Sequence, residues 1–521
     1  MPSFKRLPAI LTPQRVLALT LTLTAALTLP ACAQTPKRGD DTLLEMHQAF
    51  RKMDRNRLSS LLPQVQGHTL EPLAAYWELR ARLDTASESD IQAFLTRYSG
   101  TYYEDRLRND WLQLLGRRRD WSTIAAEFPK YRMGDDREVR CYALAADAVL
   151  SKKDVASEAL RLWYAQRDAD DGCTWLAEHL HSGKKINGVE LWRRARIAMD
   201  ANKPKAAKDA ADIEAPRLSE QVTLIFNDPA KYLDKRIVAV TRNRKELAVL
   251  ALIRLAASNP DKAADLLDKR WGLMLSAEEK NWTWGVIGKQ AAQKLQDNAS
   301  HYFAKVHKDS DLNDDLLTWK VRAALRAGQW RQVLGATEAL SAETRQDTAW
   351  TYWRARALQA TASSDAQRQQ AQELLRGMAG VRGFYEQLAL EDLGQAISVP
   401  LAPPPLSATE KAQAFANAGL QRALYAIQIG LRPEGNREWN YSTNLHTPGG
   451  MNDRELLAAA DLACQRQVWD RCINTSERTK GVIDFEQRFP MPLRETVVRR
   501  ANGIGLDPAY VYGLIRSEER R

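Results

Sequence analysis

A carboxylate just after an apolar stretch is the clearest chemical signal in this 521-residue sequence. Val511 to Ile515 leads into Arg516-Ser517-Glu518-Glu519-Arg520-Arg521. A carboxylate held there against a hydrophobic wall would keep its proton to higher pH and serve as a general acid. The same six residues also read as a charged tail, since terminal residues usually fray. Other catalytic patterns are missing: there is no Gly-rich phosphate loop, paired-Cys zinc spacing, His-Glu-x-x-His or Gly-x-Ser-x-Gly elbow. His179 and His181 stand two apart beside Glu178, and on a helix such residues diverge, so no metal site and no cofactor is expected. Arg117-Arg118-Arg119 and the run from Lys235 to Lys245 are flanked by Asp120, Asp234 and Glu246. They read as solvated faces, and no nucleic-acid partner is expected.

Cysteine supplies the second kind of chemistry. Beyond position 32 stand Cys141, Cys173, Cys464 and Cys472. The simplest pairing joins Cys141 to Cys173 and Cys464 to Cys472, with buried free thiols as the alternative. On one continuous helix residues 464 and 472 would lie about 12 Å apart, too far for a bridge, so that pair needs a turn between its members.

Disulfides require export, and the first 33 residues read as an export signal. They carry Lys5, Arg6 and Arg15, no acid, and an apolar run from Val16 to Leu29. Those fourteen residues span about 21 Å as a helix, short of a hydrocarbon core of roughly 30 Å. Cleavage after Ala33 and cleavage before Cys32 both fit, the second leaving a lipidated Cys32 in a bacterial lipobox. Either outcome places the mature chain outside the cytoplasm, in the periplasm or anchored to a membrane by lipid. Removing three basic residues from a net +10 leaves +7, compatible with an anionic envelope polymer and equally with ordinary solubility charge.

The elements that must position these residues are helical. With 44% apolar and 27% charged residues and 15 Trp, the chain is an ordinary globular one, not a disordered, collagen-like or disulfide-dense chain. Its length exceeds what one compact core supports. From Asp40 to Leu393 apolar residues recur at three- and four-residue spacing. Trp284, Trp319 and Trp353 are spaced by 35 and 34 residues, each followed one turn later by a small residue: Gly288, Ala323 and Ala357. That period predicts an all-α superhelical solenoid of helix-turn-helix repeats. In one unit Trp319 to Ala327 forms the first helix, Gly328-Gln329 the break and Trp330 to Leu340 the second. Trp111 to Ile124 and Leu462 to Trp469 repeat the design, and aligning Trp469 with Trp330 sets Cys464 and Cys472 on opposite arms of a hairpin. The tryptophan stripe reads as core, with no binding role. Ser398 to Pro405 ends the array, Ser407 to Glu410 caps a new helical stretch, and His446 to Gly450 divides it.

Several of these residues, in order and spacing, resemble the soluble lytic murein transglycosylases. They include Trp319-Lys320-Val321-Arg322-Ala323-Ala324-Leu325, Tyr352-Trp353-Arg354-Ala355-Arg356-Ala357-Leu358 and Phe384-Tyr385. Arg437-Glu438-Trp439-Asn440-Tyr441 is similar to that family's linker. Phe489-Pro490-Met491-Pro492 and Gly505-Leu506-Asp507-Pro508, followed by Tyr510 to Arg516, are similar to the opening of its lysozyme-like catalytic domain. The resemblance implies a ring-shaped superhelix over 34–400, a helical linker over 401–482 and the first part of the catalytic domain over 483–521, after a signal at 1–33. It implies peptidoglycan glycan strands as partner and Glu518 as the single catalytic acid and base. Such an enzyme cleaves the bond between N-acetylmuramic acid and N-acetylglucosamine and leaves a 1,6-anhydro ring. Ser517, Glu519 and Arg521 depart from the family pattern around the catalytic Glu, and the groove-forming segment does not follow. On this basis a truncated, frameshifted or partial reading of a longer gene is expected, with activity in doubt. The rival expectation is an exported solenoid that binds glycan strands or envelope proteins without cleaving them.

Overall fold

A computed structural model describes residues 39–234, 241–443 and 450–518. The export signal with Cys32, residues 235–240 at the start of the Lys235-to-Lys245 run, the loop residues 444–449 and residues 519–521 lie outside the described residues. Among the described residues every regular element is a helix. Side-chain caps start many of them: Ser87, Thr101, Asp120, Asp136, Asn313 and Asn452 each accept a backbone N–H that the first helical turn leaves unpaired. Ser407 and Glu410 form the reciprocal cap that opens the helix Ala408–Ala416.

One turn recurs between the arms of the helical hairpins. A backbone N–H returns to the carbonyl five residues earlier: Asp120 to Leu115, Lys185 to Leu180, Lys203 to Ala198, Gln296 to Ala291, Gln329 to Ala324 and Val468 to Ala463. The residue before each donor is left-handed: Arg119, Lys184, Asn202, Leu295, Gly328 and Gln467, with φ between 57° and 67°. This closure satisfies helix carbonyls and reverses the chain in the same way each time. Repetition of one turn is what makes a solenoid of these helices.

The repeat unit read around Trp319 is realised as helices Asp314–Arg326 and Trp330–Ala339, packed on each other and followed by Thr348–Thr361. Small residues allow the close approach. A Cβ on Gly288 would stand 2.7 Å from the Phe303 ring, and Ala357 has no exposed surface. Trp284 is buried as core, whereas Trp319 and Trp353 stay half-buried. The core reading of the stripe therefore holds for only part of it. Polar neighbours supply some of the cover: the Arg322 guanidinium lies over Trp319, and Tyr385 stands beside Trp353.

The apolar interior is a succession of clusters and not one ball. A long cluster spans residues 141 to 340 and smaller ones follow it. The array ends at helix Phe384–Asp392; Arg454 then grips the irregular stretch by donating to the carbonyls of Pro404 and Pro405 and to Glu410. Helices Ala418–Gln428 and Arg432–Ser442 return to the beginning of the chain. Ala426 and Leu431 enter the same core cluster as Leu43, Trp77, Tyr103 and Leu107. The Tyr441 ring meets Tyr102 with centroids 5.9 Å apart and accepts a hydrogen bond from Arg132. The superhelix thus closes on its own N-terminal helices. Among the described residues no helix is long and apolar enough to cross a membrane.

Candidate active site

The segment carrying Glu518 rises from a firmly tied base. Arg488 is buried and donates to the Ser476 carbonyl and to Thr479 Oγ1, while Gln487 donates to the Leu457 carbonyl. Burial pushes the Arg488 guanidinium pKa down, and these acceptors answer its remaining charge. Arg382, just beyond the superhelical helix Asp365–Met378, donates to the carbonyls of Thr479 and Lys480, coupling the array to this base. Phe485 and Phe489 stack at 5.6 Å, and the chain turns through Leu493 into helix Arg494–Gly503. Gly505, with φ of 71°, and Asp507, which caps through the Ala509 N–H, redirect it into helix Pro508–Glu518. That helix is tied at two points: Tyr512 donates to the Pro492 carbonyl at 2.9 Å, and Arg516 to Glu477 at 2.7 Å.

Glu518 is the last residue of this helix, and its side chain lies outside the described residues. One turn before it stand Leu514 and Ile515, 55% and 37% exposed. The apolar wall expected around the carboxylate is therefore not assembled from Val511 to Ile515 among the described residues.

The linker motif is almost wholly structural. Glu438 is buried and receives two hydrogen bonds from Arg422; burial raises its pKa and the guanidinium opposes that rise. Trp439 donates from its indole to Thr475 Oγ1 at 2.8 Å, and Asn440 accepts from Arg471 at 2.8 Å. Together these fasten the helix that carries Tyr441 to the base of the candidate site.

The structure joins Cys141 to Cys173 between helices Arg137–Ser151 and Asp171–Ser182, with Cα atoms 4.9 Å apart. It joins Cys464 to Cys472 across the Gln467 turn, with Cα atoms 5.1 Å apart. Asp170 caps the helix bearing Cys173. Its burial, with Glu138 adding repulsion, raises its pKa to about 6. His179 stacks on Trp175 at 5.1 Å and His181 approaches Glu214 at 3.3 Å, so the two imidazoles serve different neighbours. Arg119 is not simply a solvated charge: it pairs with Asp171 and lies over the Trp121 and Trp175 rings. Arg118 donates to the Asp84 carbonyl.

Two networks had no local sequence signal. Asp40, His68 and Tyr425 form one, at the closure of the superhelix. The other is buried Arg196, which holds Glu246 through two hydrogen bonds at 2.7 and 2.8 Å and reaches Glu278 at 2.7 Å. Partners this far apart in sequence are invisible to periodicity.

Among the described residues the chain is a closed all-α superhelix followed by a tied linker and a helix that ends at Glu518. The soluble lytic murein transglycosylase of Salmonella typhimurium is 20% identical over 488 residues, spanning 91% of this chain and 72% of the relative. That of Escherichia coli K12 is 20% identical over 495 residues with the same coverage. Among solved structures, an inactive variant of the lytic transglycosylase Slt from Pseudomonas aeruginosa matches with a TM-score of 0.61 and 25% identity, over 92% of this chain and 76% of that one. The 70-kDa soluble lytic transglycosylase of Escherichia coli matches with a TM-score of 0.54 and 18% identity, over 91% and 75%. No protein-family model matches. Over most of its length the chain is similar to soluble lytic murein transglycosylases in sequence and in fold.

Proposed function

We propose that this protein acts on peptidoglycan as a lytic transglycosylase, with Glu518 as its acid and base. The observation that carries the reading is the alignment of nearly the whole described chain with relatives of that name and fold. The carboxyl group protonates the glycosidic oxygen between N-acetylmuramic acid and N-acetylglucosamine. The carboxylate then takes the proton of the muramyl 6-hydroxyl, whose oxygen closes the 1,6-anhydro ring. One carboxylate suffices because the nucleophile belongs to the substrate, whereas other glycosidases need a second carboxylate. Residues 1–33 act as the export signal that brings the chain to the periplasm, and Cys32 offers a site for lipid attachment.

The exposure of Leu514 and Ile515 favours a second reading. On that reading the protein binds glycan strands without cutting them. Incubation with intact sacculi and mass spectrometry of the released products separates the two. Release of 1,6-anhydro muropeptides by the protein, abolished by Glu518→Gln, supports the enzyme; sedimentation with sacculi and no release supports the binding protein.

A further inference from the structure

Arg322 stands apart from the many paired arginines of this chain. It is exposed on helix Asp314–Arg326, and no hydrogen bond or ion pair engages it among the described residues. Its guanidinium carbon nevertheless lies 4.9 Å from the ring centroids of both Trp319 and Trp350. Contact with two indoles restrains a side chain that would otherwise lose considerable freedom on binding. The N–H donors of a guanidinium lie along the edge of its plane, and those of Arg322 have no hydrogen-bond partner among the described residues. Edge donors without a partner match an acceptor with two coplanar oxygens, which is a carboxylate.

Beside this group opens a cleft of about 390 Å³ lined by Trp319, Arg322, Arg326, Asp297, Gln296 and Ser300. Arg326 is already paired with Asp297 at 3.2 Å, so Arg322 remains the uncompensated charge among these residues. Half-buried Trp319 supplies an apolar wall, and in the cleft lining Gln296 Oε1 is buried without a hydrogen-bond partner. An uncompensated cation beside an aromatic wall suits a short peptide with a free carboxylate better than an uncharged sugar.

We propose that this cleft on the superhelix, remote in sequence from Glu518, binds the carboxylate of a peptidoglycan stem peptide through Arg322. The inference rests on the murein reading for the source of the peptide. Isothermal titration of the whole protein with a stem tetrapeptide, with the same peptide amidated at its carboxyl groups, and with the carboxylate-free disaccharide of two N-acetylglucosamine units tests it without turnover. The tetrapeptide is expected to bind, and the other two about tenfold or more weakly. Arg322→Gln should lose a similar factor for the tetrapeptide and Arg322→Lys should recover part of it, with unchanged circular dichroism. No saturable binding up to about 10 mM, equal binding by Arg322→Gln, or equal binding of the disaccharide overturns the proposal. Sacculus cleavage without peptide binding would overturn this inference alone, and peptide binding without anhydro products would leave it standing while the enzymatic reading fails.

Discussion

The hydroxyl of Tyr425 donates to the carboxylate of Asp40 at 2.7 Å across 385 residues of sequence, and this bond lies where the superhelix meets its own beginning. His68 approaches the same carboxylate oxygen at 2.9 Å. Its other ring nitrogen accepts the Leu70 N–H, which leaves the proton on Nε2 to donate to Asp40. Tyr425→Phe should therefore cost about 1–2 kcal/mol at this contact. Hydrogen exchange should quicken in helices 40–51 and 418–428 while helix 314–326 keeps its protection. Uniform change, or none, would show that the closure does not depend on this bond.

The recurring left-handed turn residues give a test of opposite sign. Lys184 and Gln467 adopt φ of 57°, which costs a side-chain-bearing residue about 1 kcal/mol relative to glycine. Lys184→Gly and Gln467→Gly should each raise stability by roughly 0.5 kcal/mol once the larger entropy of the unfolded glycine is subtracted. Lys184→Val should lower it. Thermal melting of the three variants checks the order.

Asp170 should make stability fall as pH rises. Its folded pKa of about 6 lies above the ordinary value of 3.8, so the folded state holds a proton that the unfolded state has released. The contribution is fully present below 3.8 and is lost as pH climbs through about 6. Asp170→Asn keeps an acceptor for the Cys173 N–H and should flatten the melting-temperature profile between these limits. An unchanged profile would assign the dependence to other groups.

Breaking the buried pair of Arg196 and Glu246 should be far more damaging than breaking a surface pair. Their side chains are 2% and 1% exposed, so Arg196→Gln strands a buried carboxylate and should cost about 3–5 kcal/mol. Arg356→Gln, whose partner Asp392 is part-exposed, should cost about 1 kcal/mol or less. Urea midpoints of the two variants should differ accordingly.

The bond between Cys141 and Cys173 closes a loop with a sequence separation of 32. Removing both sulfurs with Cys141→Ala and Cys173→Ala should cost about 2–4 kcal/mol through the freed unfolded chain. Matched denaturation of the oxidised wild type and the double variant measures it.

How far the sequence reached follows from the range of each interaction. Three- and four-residue spacing made the helices legible, and the Trp period identified the solenoid, because both record contacts within one or two turns. Gly328 marked its hairpin break, and Ser407 with Glu410 marked a helix start, for the same local reason. Arg119, Lys184, Leu295 and Gln467 make the same reversal as Gly328, yet they carry no residue-type signal for a left-handed backbone. The candidate site divides along the same line. The residues around Glu518 read as a general acid or as a charged tail, and only the family resemblance pointed to that carboxylate, while the exposure of Leu514 and Ile515 depended on what packs above them.

The order of residues by itself determined helix after helix, their repeat and the position of the carboxylate. Only the tertiary structure decided that helix 418–428 returns to helix 40–51, that Trp319 stays half-open beside an Arg322 without an ion-pair partner among the described residues, and that Arg196 is neutralised from two distant helices. The superhelix sums a small rotation at every repeat, so contacts between its ends depend on all the packing angles between them and on no local pattern.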